Sequence, residues 1–260
     1  MVEISVLIPS KVGEHRLPAA IKSIYDKDLN IEILVGIDGS DSNLIKELDN
    51  LKIEKLMVYQ FNNDTGTTKI LNKLLLITQG EFIARMDADD LSLPKRLSIQ
   101  VNFMRENPEI TIMCANALEK GGALMMKRAR GFLDYKDFLN NNPVIHPTVM
   151  MRKSHLTEGN YAYNNKWKKS QDFELWTRIS RRKKIYYDSE PLIQYTKTFN
   201  LKGFSKQYFY FKIAQLKNLF WHLFKNSSSS KLLVFRVFFV FILMPIDYLK
   251  IVIWNRINAK

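Results

Sequence analysis

One cysteine in 260 residues leaves no partner for a disulfide within the chain. That residue, Cys114, lies inside the apolar run Ile110-Thr111-Ile112-Met113-Cys114-Ala115, where a packed thiol is expected rather than a nucleophile, and a reducing compartment fits. A secretory leader is also missing: Met1 to Pro9 has no basic start or long apolar core and already reads as a strand, so secretion is not expected. The ten glycines nowhere form the fuller pattern of a P-loop or dinucleotide-binding fingerprint. No apolar run reaches the roughly 20 residues needed to span a bilayer. The stretch Leu232 to Met244 contains Arg236, and Pro245, Asp247 and Lys250 follow it. Acidic residues all but vanish beyond position 200, where Asp247 alone faces 10 Lys and Arg. The formal net charge of +13 is therefore concentrated in a tail that is also rich in Phe, Leu, Ile and Trp. Such a tail suits an anionic membrane surface better than nucleic acid, so residues 203–260 are expected to form a basic, amphipathic helical extension lying in the membrane plane, the alternatives being a span or a helical pair that packs on the preceding domain.

What precedes the tail has the composition of one globular domain, residues 1–202. Apolar spacing predicts strands at Ile4–Pro9, Ile31–Ile37, Lys55–Tyr59, Glu81–Met86 and Ile110–Ala117. Between them it predicts helices from Leu17 to Tyr25, about Asn43 to Leu51, about Thr67 to Thr78, and Lys95 to Glu106. This alternation defines an α/β fold, a mostly parallel sheet flanked by helices on both faces. Ligands in such sheets bind beyond the carboxyl ends of the strands. Pro9, Asp38 and Asp87 fall at those ends and are expected in one cleft.

Chemistry concentrates at Arg85-Met86-Asp87-Ala88-Asp89-Asp90. On an extended segment, Asp87 and Asp89 point the same way and make a two-carboxylate claw for a hard divalent ion, Mg²⁺ or Mn²⁺, that shares its shell with substrate phosphates. Arg85 and Arg96 flank the claw and either pair with it or hold a diphosphate. Asp38-Gly39-Ser40-Asp41-Ser42 closes the second strand, with Asp41 or Ser42 placed to cap the next helix and Asp38 placed to accept hydrogen bonds from a base or ribose. Asn62-Asn63-Asp64-Thr65-Gly66 opens the following helix, whose first N–H groups are candidates to face phosphate. Further on, His146-Pro147-Thr148 forms a proline turn before a strand. Phe173, Trp176 and Ile179 mark a helix at whose start Asp172 is either a cap or a general base.

In order and spacing, Ser5-Val6-Leu7-Ile8-Pro9, Asp38-Gly39-Ser40, Gly80 to Asp90, Pro94 with Arg96-Leu97, His146-Pro147-Thr148 and Asp172-Phe173-Glu174-Leu175-Trp176 resemble glycosyltransferase family 2, inverting enzymes of the GT-A fold. The resemblance covers roughly residues 3–195, and its most specific part is the Arg-Met-Asp-Ala-Asp-Asp stretch. It implies a nucleotide-diphosphate-sugar donor, a UDP-sugar foremost. Pro9, Asp38, Arg85 and Asp87 would lie on the donor side, Asp87 and Asp89 on Mn²⁺ or Mg²⁺, and His146, Pro147, Thr148 and Trp176 on the acceptor side. Asp172 would be the catalytic base. About 1–117 would form the nucleotide-sugar half and about 118–202 the acceptor half. The sequence departs from the family pattern at Ile37, where an acid is common, at Lys11-Val12 in place of Tyr-Asn, and at Gln171 in place of Glu.

The expected function is metal-dependent, inverting transfer of a single sugar to a glycan or lipid-linked acceptor of a bacterial surface polysaccharide, at the cytoplasmic face of the inner membrane. Two alternatives are a nucleotidyltransferase using the same claw and a non-catalytic scaffold that binds sugar nucleotides.

Overall fold

A computed structural model describes residues 2–26, 28–139, 141–196 and 210–218. Strand and helix alternate through β1 (Ile4–Lys11), α1 (Leu17–Ile24), β2 (Ile31–Asp38), α2 (Ser42–Asp49), β3 (Leu56–Phe61), α3 (Thr67–Ile77) and β4 (Phe82–Arg85). Then come β5 (Leu91–Ser92), α4 (Arg96–Glu106), β6 (Ile110–Glu119), β7 (Gly131–Leu133), a 3-10 turn at His146–Thr148, β8 (Met150–Arg152), α5 (Lys153–Glu158), α6 (Gln171–Ile179) and β9 (Lys184–Tyr195). Local chemistry sets several of these starts. Pro18 occupies the first turn of α1, where its missing N–H breaks no helical bond. The carboxylate of Asp41 accepts the Leu44 N–H at 3.0 Å and caps α2.

The sheet runs β3-β2-β1-β4-β8-β6-β9-β5, with β7 also on β9. Strands β3, β2, β1 and β4 are mutually parallel, as the crossover helices require. In the second half β6 and β9 are also parallel, and short antiparallel strands join them. Short β8 lies antiparallel between β4 and β6, and β5 and β7 are antiparallel to β9. These strands are two or three residues long, too short to announce themselves by periodicity. Gly36 in β2 lets α3 pack close, since a Cβ there would lie 2.4 Å from Ile70 Cγ2.

Two apolar cores cover the two faces of the sheet. Leu17, Ile21, Leu44, Leu97 and Val101 bring α1, α2 and α4 onto one face. Leu71, Leu74, Leu156, Phe173, Trp176 and Ala214 bring α3, α5, α6 and residues 210–218 onto the other. Residues 210–218 are helical, with Phe211 against Phe173 at 4.6 Å and Tyr210 against Trp167 at 5.6 Å between ring centroids. Asn218 is fully buried and its amide donates to the Tyr135 carbonyl at 3.0 Å. The boundary expected at residue 203 thus falls short of the packing, because the apolar face of 210–218 is spent on the catalytic fold. The remainder of the expected amphipathic extension, 203–209 and 219–260, lies outside the described residues. Among the described residues no helix is long and apolar enough to cross a membrane.

A chain ending at residue 218 is expected to be more stable than one ending at 209 by about 3 kcal/mol, since burial of each large apolar side chain contributes about 1.5–3 kcal/mol. Urea denaturation of the two checks this, and equal midpoints would show that the 210–218 contact contributes nothing.

Candidate active site

Parallel registers bring the carboxyl ends of β1, β2 and β4 to one edge, with Lys11 level with Asp38 and Leu7 level with Arg85. Pro9 lies inside β1 opposite Gly36, not at its end. Leu7 accepts the Met86 N–H at 3.1 Å just where β4 stops, so Pro9, two residues on, has no β4 partner to lose.

Beyond Arg85 the chain leaves the sheet. Asp87–Asp90 is a turn, its Asp90 N–H reaching the Asp87 carbonyl at 3.4 Å, so the extended claw expected from alternation does not form. The turn gathers three carboxylates instead of two. Single oxygens of Asp87, Asp89 and Asp90 lie within 4.8 Å of one another. Asp90 is almost fully buried, accepts the Thr196 N–H at 2.7 Å through Oδ1, and leaves Oδ2 without a hydrogen-bond partner. Burial, and then the charges of Asp87 and Asp89, push its pKa up to about 7. Burial and Asp87 also raise the pKa of Asp89.

The two flanking arginines divide the readings the sequence left open. Arg85 is buried and pairs with Asp87 Oδ1 at 2.5 Å, while its Nε and Nη1 find no acceptor. Arg96 is spent inside. It donates to the Arg85 carbonyl at 2.7 Å and to Gln100 Oε1 at 3.1 Å, and Gln100 in turn donates to the Thr148 carbonyl at 2.8 Å. This brace ties the end of β4 to the His146–Thr148 turn, and it leaves Arg96 unable to hold a diphosphate. Burial and the neighbouring Arg85 lower its pKa to about 9.

Asp38 is engaged by the loop before α3, accepting the Thr65 N–H at 2.9 Å and the Gly66 N–H at 3.0 Å. These two N–H groups lie just before α3, which starts at Thr67, so Asp38 fixes the loop that leads into the helix. Each carboxylate oxygen keeps a second acceptor site toward the cleft.

On the other wall, Asp172 sits in the first turn of α6, one residue past its start, and Ser170 holds the cap position. Its Oδ2 accepts from Asn142 Nδ2 at 3.2 Å. Burial raises its pKa and the charge of Asp87 adds to this, while the N–H of Phe173 and the charge of Arg85 oppose it. The two walls therefore share one electrostatic cleft. His146 Nε2 hydrogen-bonds Tyr163 OH at 2.8 Å, and burial with the charge of Arg85 keeps the imidazole neutral by lowering its pKa well below the ordinary value. Thr148 and Trp176 are fully buried. Thr148 Oγ1 accepts the Ala115 N–H at 3.0 Å and donates to the Ile145 carbonyl at 2.7 Å, and Trp176 packs edge-on against His146 at 5.7 Å between ring centroids. Of the expected acceptor-side residues, Pro147, Thr148 and Trp176 are buried, and the Trp176 ring packs against His146 and Tyr163.

Sequence reasoning assigned no role to Asp90, although its place in the acidic run was the signal for it. It also missed Tyr163, Asn142 and Arg16. Arg16 is held by Glu14 at 2.8 Å and reaches Asp89 Oδ2 at 3.4 Å. Nothing in the sequence marks these three, because their positions depend on tertiary contact.

A parallel sheet edge, an acidic turn after β4 and a carboxylate in the first turn of α6 are the arrangement that the comparisons with known proteins place in a family. The family model for glycosyl transferase family 2 matches residues 5–164. The chain belongs to that family. It is 27% identical over 187 residues to the amylovoran biosynthesis glycosyltransferase AmsE of Erwinia amylovora, covering 69% of each chain. It is 26% identical over 182 residues to the UDP-Glc:alpha-D-GlcNAc-diphosphoundecaprenol beta-1,3-glucosyltransferase WfgD of Escherichia coli, covering 68% of this chain and 66% of WfgD. Its fold resembles that of TarS 1-349 from S. aureus in complex with UDP-GlcNAc, with a TM-score of 0.64 and 18% identity over 82% of this chain and 66% of TarS. The chain spans 69% or less of the length of the curated relatives it matches, 63% to 69% for most and 33% for one.

Proposed function

We propose that the chain moves one sugar from a UDP-sugar to a lipid-linked acceptor in surface-glycan synthesis, with inversion at the anomeric carbon and dependence on a divalent ion. The observation that carries this reading is the pairing of an acidic turn, Asp87, Asp89 and Asp90, with Asp172 across one cleft. The turn's chemistry fits Mn²⁺ or Mg²⁺: three carboxylates converge, one buried oxygen is unpartnered, and their mutual repulsion raises two of the pKa values. Asp89 and Asp90 would hold the ion and Asp87 would share it with the sugar nucleotide. When bound, the ion stabilises the negative charge that develops on the leaving diphosphate.

The chain's own residues do the rest. Arg85, buried beside the turn with Nε and Nη1 unpartnered, would add positive charge near the diphosphate. Asp38 accepts from the base or ribose, and Pro9 keeps β1 flat beneath it. Asp172 takes the proton from the attacking acceptor hydroxyl; a single displacement with the base opposite the leaving group inverts the centre. His146, held neutral, lines the acceptor side. Residues 1–202 with 210–218 form the catalytic unit, and the basic stretch beyond 203 favours the anionic cytoplasmic face of the inner membrane. WfgD, named for a diphosphoundecaprenol acceptor, supports the lipid-linked acceptor. Family membership counts against the nucleotidyltransferase and scaffold alternatives. Membranes supplied with a labelled α-linked UDP-sugar and the enzyme should yield a β-linked glycolipid, visible by NMR. An α-linked product would exclude inversion.

The same carboxylates set a pH-dependent stability. Because the folded pKa of Asp90 is raised to about 7, its contribution is fully present below the ordinary carboxylate range and is lost as pH rises through about 7. Mn²⁺ should therefore raise the melting temperature of the protein strongly at pH 8 and little at pH 5. Equal shifts at both values, measured by scanning fluorimetry, would contradict binding at this turn.

A further inference from the structure

The two helical layers differ in charge. On the layer of α1, α2 and α4, exposed acids such as Glu47, Asp49 and Glu106 interleave with Lys22 and Lys46. The opposite layer is built from α3, α5, the segment 161–169, α6 and residues 210–218. The acids within those segments are Glu158 at the end of α5, exposed and paired with Lys183 at 3.3 Å, Asp172, turned to Asn142, and Glu174, buried against Arg178 at 2.9 Å. Asp64 precedes α3.

Hydrogen bonds make the parts one surface. Thr68 Oγ1 donates to the Trp167 carbonyl at 2.8 Å, and Asn72 Nδ2 donates to the Tyr163 carbonyl at 2.7 Å and to Asn165 Oδ1 at 2.9 Å. One turn along α3 from these contacts, Lys69, Lys73 and Leu76 share an outward stripe at i, i+4, i+7 spacing, and Leu76 is 86% exposed. Lys166, Lys168 and Lys169 project from the adjoining segment, and Lys217 crosses the Trp167 ring at 5.2 Å. A face of lysines around a bare leucine matches what an anionic bilayer attracts and then accepts in its interface. The lysine segment leads through Ser170 into α6, its last lysine, Lys169, three residues before Asp172.

We propose that this face, from α3 through residues 166–169, docks the folded domain on an anionic phospholipid bilayer with the base end of α6 toward the lipid. The proposal deepens the lipid-linked-acceptor reading and rests on it. A surface-bound acceptor then meets Asp172 without leaving the membrane.

The test uses the full chain and vesicles of phosphatidylglycerol mixed with phosphatidylcholine. Lys166→Glu/Lys168→Glu should weaken sedimentation with these vesicles by roughly tenfold or more, and Leu76→Ser should weaken it in a salt-insensitive way. Lys22→Glu/Lys46→Glu, with the same net charge change on the other layer, should bind as wild type does. The stretch 219–260 is present in every protein, so its contribution cancels. Equal loss in both double variants would mean that net charge alone acts, and no loss in either would remove this face as the docking surface. Competition by single-stranded nucleic acid at equal phosphate that abolishes vesicle binding would reassign the face to nucleic acid. Donor turnover, read as nucleoside diphosphate release into solution, should be the same in all the variants. If wild type shows vesicle binding that the first double variant loses, yet no protein turns over a donor, the surface stands and the catalytic reading fails.

Discussion

Asp172→Asn is expected to slow sugar transfer by about 10²-fold or more while sugar-nucleotide affinity stays near wild type. The carboxylate stands at the start of α6, accepting from Asn142 Nδ2 and from the Phe173 N–H, and an amide keeps an acceptor oxygen for such donors. What the substitution removes is the capacity to take a proton. Burial raises the Asp172 pKa, so transfer by wild type should fall on the acid side at a pH above the ordinary carboxylate range, with the base active only once ionised. That limb of the pH profile should vanish in the variant. The same burial makes the ionised group a cost to folding at neutral pH, so the amide should melt no lower than wild type. Transfer near the wild-type rate would reduce Asp172 to a residue of the helix start.

Asp89→Asn is the second large effect, with turnover expected below detection and nucleotide affinity in Mn²⁺ weaker by about tenfold or more. Asp89 is half-buried, its pKa is raised by burial and by Asp87, and Arg16 is its one ion-pair partner among the described residues, at 3.4 Å. Losing the charge relieves repulsion within the turn, so the fold should persist and the defect should be specific to the ion and the diphosphate. Full activity of this variant in excess EDTA would remove the metal assignment.

Where the sequence was legible, the reason is periodicity. Long apolar strands such as Ile4–Lys11 and Ile31–Asp38, and stripes such as Leu17, Ala20, Ile21 and Ile24, decide their own conformation because each must bury one face. The acidic run was legible as chemistry but not as geometry. Extended alternation predicted two aligned carboxylates, whereas the chain turns at Asp87–Asp90 and buries a third. Arg96 read as a candidate for phosphate, and only the positions of Gln100 and the Arg85 carbonyl show it to be a brace. Thr148 and Trp176 read as acceptor contacts because their motifs lie near the site, yet packing places both beneath it. The helix at 210–218 was read as an amphipathic stripe for lipid, while Phe173 and Trp167 supply its apolar partner within the protein. Periodicity reports that a face must be covered and is silent on what covers it.

The most direct test of the central claim is nucleoside diphosphate release from a panel of nucleotide sugars, with Mn²⁺, with EDTA, and with Mn²⁺ restored. The account predicts that a UDP-sugar is turned over, that EDTA stops the reaction, and that Mn²⁺ recovers it in wild type but not in Asp89→Asn. Turnover that is indifferent to EDTA, or no turnover of any nucleotide sugar by a folded protein, would contradict it.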